Sequence, residues 1–169
     1  MDFSFKNIDI AYSQIQNNVI RTPLVSSEYI NKELRSNIFF KLENLQITGS
    51  FKFRGAFFKI SLLTNEEKSR GVVAYSSGNH AQAVAYASNI LGINAKIVMP
   101  KNAPMIKINN TKKYGAEIVL YDPSSENREK IGEEIANIEK RILIKPYDDE
   151  NIIAGQGTSG KEIVEELIN

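Results

Sequence analysis

The chain has 169 residues, 42% of them hydrophobic, with 21 basic side chains set against 20 acidic ones. That is enough for one ordinary globular core, and the near-neutral charge without a basic run argues against nucleic acid as a partner. With no cysteine and a single histidine, His80, disulfides, thiolate or histidine-rich metal sites and a cysteine nucleophile are excluded. Taken in order, Ile8, Tyr12, Ile15 and Val19 recur at helical spacing and predict a helix over 5–20, closed by the Arg21-Thr22-Pro23 step. Residues 37–42 read as a short strand. A second helix is predicted from Ser50 towards Leu63, with Ser50 placed to cap its first turn. The N-terminus has neither the basic nor the apolar region of a signal peptide. No apolar run approaches the roughly twenty residues of a membrane span, so the expected setting is soluble and cytoplasmic, with no membrane partner.

From Gly71 the pattern becomes regular. Short β-rich runs at 72–75, 95–99, 117–121 and 141–145 alternate with helical stretches at 79–91, 104–114 and 125–139 and a last helix towards Leu167. The runs are nearly all apolar, as expected of strands covered by helices on both faces. The helices carry one apolar stripe, Ile131, Ile135 and Ile138 for example. Gly92 and Gly115 stand where helices should stop, and Pro104 where one should start. The expected fold class is α/β, an open and mostly parallel sheet flanked by helices.

Ligands in such a sheet bind beyond the carboxyl ends of the strands. Three of those ends run into Pro100-Lys101-Asn102, Asp122-Pro123-Ser124 and Pro146-Tyr147-Asp148, which read as ordinary turns. The fourth, Tyr75-Ser76-Ser77-Gly78-Asn79-His80, joins a buried strand to a helix through two hydroxyls, a glycine and an amide. Backbone N–H groups at that helix start could hold an anion such as a carboxylate; an unliganded cap is the plain alternative. Earlier in the chain, Thr48-Gly49-Ser50-Phe51-Lys52-Phe53-Arg54-Gly55-Ala56 sets one lysine between two phenylalanines. Partial desolvation there favours the neutral amine, a nucleophile able to form an imine with a carbonyl compound. Gly155-Gln156-Gly157-Thr158-Ser159-Gly160 matches the dinucleotide fingerprint letter for letter, but no strand precedes it and no ribose-binding acid follows.

The two stretches 49–56 (GSFKFRGA) and 76–82 (SSGNHAQ) together resemble the fold type II pyridoxal-phosphate enzymes, in the branch of the threonine/serine dehydratases and serine racemases. The likeness continues through 95–100, 114–119 and 146–158, and so covers nearly the whole chain. It implies that Lys52 carries pyridoxal 5'-phosphate covalently and moves the substrate α-proton. Phe51 would lie against the pyridine ring, and Asn79 would hydrogen-bond the cofactor's phenolic oxygen. Ser76, Ser77, Gly78, Asn79 and His80 would grip the carboxylate of a small amino acid, threonine or serine. Ser77 matches the position where racemases, and some dehydratases, place a second acid/base on the opposite face of the substrate. Tyr147 matches an aromatic position typical of dehydratases, and the reading leans to an ammonia-lyase with a racemase as the alternative.

Members of that family run to roughly twice this length, a two-domain size. The resemblance places 71–148 in a small α/β domain, and 1–70 with 149–169 in an incomplete large domain. The ten glycines here include no adjacent pair, so the glycine-rich loop that cradles the cofactor phosphate is not found. The expected partners are therefore a homo-oligomer or a separate C-terminal half, met through an apolar exposed surface. A catalytically dead remnant and a cofactor-free carboxylate-binding module are the competing readings.

Overall fold

The computed structural model describes residues 3–168. The chain opens with α1 (Phe5–Ile15), then β1 (Leu24–Ser26), α2 (Glu28–Leu34) and β2 (Phe39–Lys41), which pairs antiparallel with β1. The first helix is thus shorter than predicted, and residues 16–20 leave it through a turn in which the Asn18 amide donates to the Ile15 carbonyl. β1 and α2 were not anticipated. α2 buries none of its residues, so it carries no apolar stripe to read.

Two short 3-10 turns, Glu43–Leu45 and Ile47–Gly49, lead into α3 (Lys52–Ser61). Thr48 and Gly49 are both left-handed, with φ of 62° and 74°. For a β-branched residue that conformation costs on the order of 1–3 kcal/mol. The buried Gln46 side chain helps to hold this turn, accepting from the Ile20 and Ile47 amides and donating to the Ile20 carbonyl. Ser50 does not cap α3 as predicted. Its hydroxyl is buried without a hydrogen-bond partner, because the helix begins two residues later and Phe51 takes the cap position.

After α4 (Asn65–Arg70), closed into a capping box by Thr64 and Glu67, come β3 (Val72–Tyr75), α5 (Asn79–Ile90), β4 (Ala95–Pro100), α6 (Met105–Lys113), β5 (Glu117–Tyr121), α7 (Arg128–Glu139), β6 (Ile142–Leu143) and α8 (Glu150–Ile168). The four later strands form one parallel sheet in the order β5-β4-β3-β6. Strand alternation sorts its two faces. Val72, Ala74, Ala95, Ile97 and Met99 join the larger core with Ala81 and Val84 of α5, while Val73, Tyr75, Val98 and Tyr121 meet Ile131 and Ile135 of α7. Ile138, expected on that stripe, is exposed, and α7 starts at Arg128 because the Asn127 side chain caps it. Gly92 and Gly115 end their helices with φ of 69° and 88°, as the sequence required.

α1, α3 and α8 pack as a separate layer. The G-x-G-x-x-G string lies inside α8, and its first two glycines are packing positions. A Cβ on Gly155 would stand 2.7 Å from the Gly55 Cα and 2.8 Å from the Arg54 carbonyl oxygen, so α3 and α8 cross backbone to backbone. A Cβ on Gly157 would meet Ile8 of α1 at 2.9 Å. Beneath that crossing Arg54 is fully buried. Its guanidinium donates to both carboxylate oxygens of Glu43 at 2.9 and 2.8 Å and to both of Glu162 at 2.7 and 2.9 Å. Lys41 completes the network, 2.9 Å from Glu162. On the outside, Val25, Phe39 and Phe40 of the two-stranded sheet, and Leu167 of α8, stay exposed.

Candidate active site

β3, β4 and β5 follow one another across the sheet, whereas β6 returns to the other side of β3. The order therefore reverses between β3 and β6, and a crevice opens beyond the carboxyl ends of that pair. A cleft of about 360 Å³ lies there. Its walls come from the start of α3 (Phe51 and Lys52), the β3–α5 turn (Tyr75, Ser76, Ser77, Gly78, Asn79 and His80), the exit from β6 (Pro146 and Tyr147), and Lys107 and Arg128. All eight residues singled out from the sequence line this one cavity, although they come from three separate stretches of chain. Sequence reasoning missed Tyr75, Lys107, Arg128 and Pro146. The turns after β4 and β5 look ordinary in the sequence, yet the helices that follow them, α6 and α7, bring Lys107 and Arg128 to the same crevice.

Lys52 stands at the first position of α3 and is half-buried. Its Nζ donates to the Pro146 carbonyl at 2.7 Å and lies 5.4 Å from the Phe51 ring centroid. Burial holds its pKa below the ordinary lysine value. Phe51 itself is 41% exposed, leaving its ring available to a planar ligand. The β3–α5 turn enters α5 through Gly78, which offers no side-chain cap, and the Gly78 amide turns back to the Ser76 hydroxyl.

His80 is buried beneath this turn. Its Nε2 lies 3.1 Å from the Ile144 carbonyl, which can only accept, so Nε2 carries the proton; Nδ1 is buried with no partner. Desolvation pushes its pKa down to about 4, helped by the nearby Lys52 charge and opposed by the Ile144 bond. The ring is neutral near pH 7 and is not a cationic carboxylate clamp. An unfolded imidazole titrates near 6.5, so between pH 6.5 and 4 the unfolded chain binds more protons and stability falls as pH drops. The loss reaches on the order of 3 kcal/mol once both states are charged. Denaturant unfolding at pH 7 and pH 4.5 should therefore give a smaller pH dependence for His80→Gln; equal slopes would mean that His80 charges freely in the fold.

The cleft fits the aldehyde end of pyridoxal phosphate. It presents a lysine with a depressed pKa, an exposed phenyl face beside it and the Asn79 amide within the same cavity. It supplies no glycine cradle for the phosphate.

Comparison with known proteins agrees with that chemistry. A family model described as "pyridoxal-phosphate dependent enzyme" matches residues 15–169. The chain is 47% identical over 157 residues to the L-threo-3-hydroxyaspartate ammonia-lyase of Saccharomyces cerevisiae, covering 93% of this chain and 48% of that protein. It is 45% identical over 167 residues to a catabolic L-threonine dehydratase of Staphylococcus aureus, covering 98% of this chain and 48% of the relative. The crystal structure of serine racemase from Dictyostelium discoideum superposes with a TM-score of 0.91 at 39% identity, over 98% of this chain and 54% of that one. Fold and cleft together define a parallel α/β protein with a cavity at a topological switch point. The chain belongs to the pyridoxal-phosphate dependent enzymes, of the fold type II group, and spans about half the length of the curated relatives it matches.

Proposed function

We propose that this chain is the lysine-bearing part of a pyridoxal-phosphate dependent ammonia-lyase that converts a small β-hydroxy amino acid, threonine or serine, to a 2-oxo acid and ammonia. The observation that carries the reading is the convergence of Lys52, the 76–80 turn and Tyr147 on one cleft. The bound cofactor supplies an electron sink for the α-carbanion. Lys52 would hold the cofactor covalently and, as a free amine whose pKa burial holds below the ordinary lysine value, would take the α-proton of the substrate. The backbone N–H groups of Ser77, Asn79 and His80, at the positive end of α5, bind the α-carboxylate and fix the α-carbon near Lys52. Phe51 packs against the pyridine ring, the Asn79 side chain orients it, and Tyr147 closes the side of the cavity where the substrate side chain lies. A racemase is the second reading, favoured by Ser77, whose side chain shares the cavity with Lys52 and could return a proton to the opposite face.

In this reading residues 71–148 form a small domain, and residues 1–70 with 149–169 contribute to a larger one. The exposed β1–β2 sheet, with Val25, Phe39 and Phe40, is where a polypeptide equivalent to the second half of the relatives would seat. The expected result is ammonia and 2-oxo acid release from L-threonine or L-serine when the chain is combined with such a polypeptide, and little or none from the chain alone. Turnover by the chain alone at an ordinary enzymatic rate, about 1 s⁻¹ or more, would overturn the dependence on a second half. Absence of product in both cases would overturn the lyase reading, and amino-acid binding undiminished by Lys52→Ala would favour a binding module.

A further inference from the structure

We infer that Lys52 latches residues 145–148 to α3 while its amine is free, and that covalent uptake of the cofactor opens that latch. The inference rests on the reading that Lys52 carries pyridoxal phosphate, and it adds what the attachment does to the chain around it.

Residues 145–148 form the exit from β6, and the chain is pinned on either side of them. At the near end the Ile144 amide donates to the Val73 carbonyl at 2.8 Å, and the Ile144 carbonyl lies 3.1 Å from the His80 Nε2. At the far end the Asp149 carboxylate accepts from the Asn151 and Ile152 amides, which fixes the start of α8. Lys59 of α3 pairs with that carboxylate at 2.8 Å. Between these pins, the Lys52 Nζ donates to the Pro146 carbonyl at 2.7 Å. Among the described residues it is the only hydrogen bond that 145–148 make. Pro146 is buried, whereas Lys145, Tyr147 and Asp148 are exposed. Asp148 also has a left-handed φ of 51°, which non-glycine residues keep where their surroundings impose it.

Imine formation consumes the donor. The Lys52 nitrogen attacks the aldehyde carbon, a C=N bond forms, and the aldehyde oxygen leaves as water with the two hydrogens of the neutral amine. A proton later taken up by the imine nitrogen is shared with the phenolic oxygen of the pyridoxal ring, so none is left for Pro146. A carbonyl that loses its donor beside a buried ring must turn towards water or another donor. Tyr147 follows in the chain and lines the cleft next to Pro146. That wall is therefore fixed in the empty chain and adjustable in the loaded one.

Backbone 15N relaxation of the purified chain tests the latch without reading turnover. With the amine free, the amides of Lys145, Tyr147 and Asp148 should have order parameters near the rigid value of about 0.85. Attachment of pyridoxal phosphate should lower them to about 0.6 or less. Lys52→Met, of similar length but without a donor, should give the low values with no cofactor present, and adding the cofactor should change them no further. The Asn151 amide, behind the Asp149 pin, should stay rigid throughout and reports that the variant is folded. Low order parameters in the cofactor-free parent overturn the inference, as do values left unchanged by either Lys52→Met or attachment. A chain that takes up no cofactor at Lys52 overturns the reading of the site as well. One that takes it up and keeps the segment rigid overturns this inference alone.

Discussion

Lys52→Ala abolishes covalent uptake of pyridoxal phosphate by this chain. The chain holds fifteen lysines, and an exposed ammonium is protonated near pH 7 and slow to form an imine. Burial holds the pKa of Lys52 below the ordinary lysine value, which enlarges the neutral, nucleophilic fraction. Borohydride reduction followed by peptide mass mapping should place the label on Lys52 in the parent chain and on no cleft residue in the variant. In the assembled enzyme the same substitution removes the proton-transferring group as well, so the rate should drop by roughly 10²–10⁴-fold or more. Lys52→Arg should behave like the alanine variant, since a guanidinium keeps the charge but forms no imine. Undiminished labelling of Lys52→Ala, or label found on Lys107, would remove the covalent assignment.

Arg54→Met should unfold the chain far more readily than its conservative volume implies. Arg54 is fully buried and spends its guanidinium on two carboxylates, Glu43 and Glu162, and Glu162 is itself 1% exposed. Removing it leaves Glu162 with the Lys41 ammonium and Glu43 with the Thr22 hydroxyl. Breaking one side of such a buried network costs about 3–5 kcal/mol. At about 2–4 °C per kcal/mol for a chain of this size, the midpoint should fall by roughly 6–20 °C. Thermal unfolding by circular dichroism, with Glu162→Gln as a second, milder lesion, measures it. A loss below about 1 kcal/mol would mean that water reaches the network and screens it.

Much of the fold could be read from the chain. The apolar runs of β3 and β4 forecast strands buried on both faces, since nothing polar can be hidden in the middle of a parallel sheet. Gly92, Gly115 and Pro104 punctuated the helices because their backbone preferences are local. What could not be read was whatever depended on a distant partner. β1 and β2 are three residues each and exist through pairing with one another, and α2 between them has no buried face. Ser50 looked like a cap from its position, but the left-handed Thr48-Gly49 turn delays the helix beyond it.

The same division holds at the cleft. The sequence by itself determined the chemistry: a lysine between two phenylalanines, a Ser-Ser-Gly-Asn-His turn after a buried strand, and a likeness to one enzyme family carried by both. These are features of side-chain type and local order. Only the tertiary structure decided which side chains share a space. The reversal of strand order between β3 and β6 brings Pro146 and Tyr147 to Lys52 across more than ninety residues of chain, and the carboxyl edge of the sheet aims Lys107 and Arg128 into the same crevice. It also decided that the glycines of α8 serve a helix crossing with Gly55 rather than a phosphate. Charge and reactivity are written residue by residue, but compensation of charge and closeness of backbones are properties of pairs, and a parallel sheet makes its pairs from parts of the chain far apart.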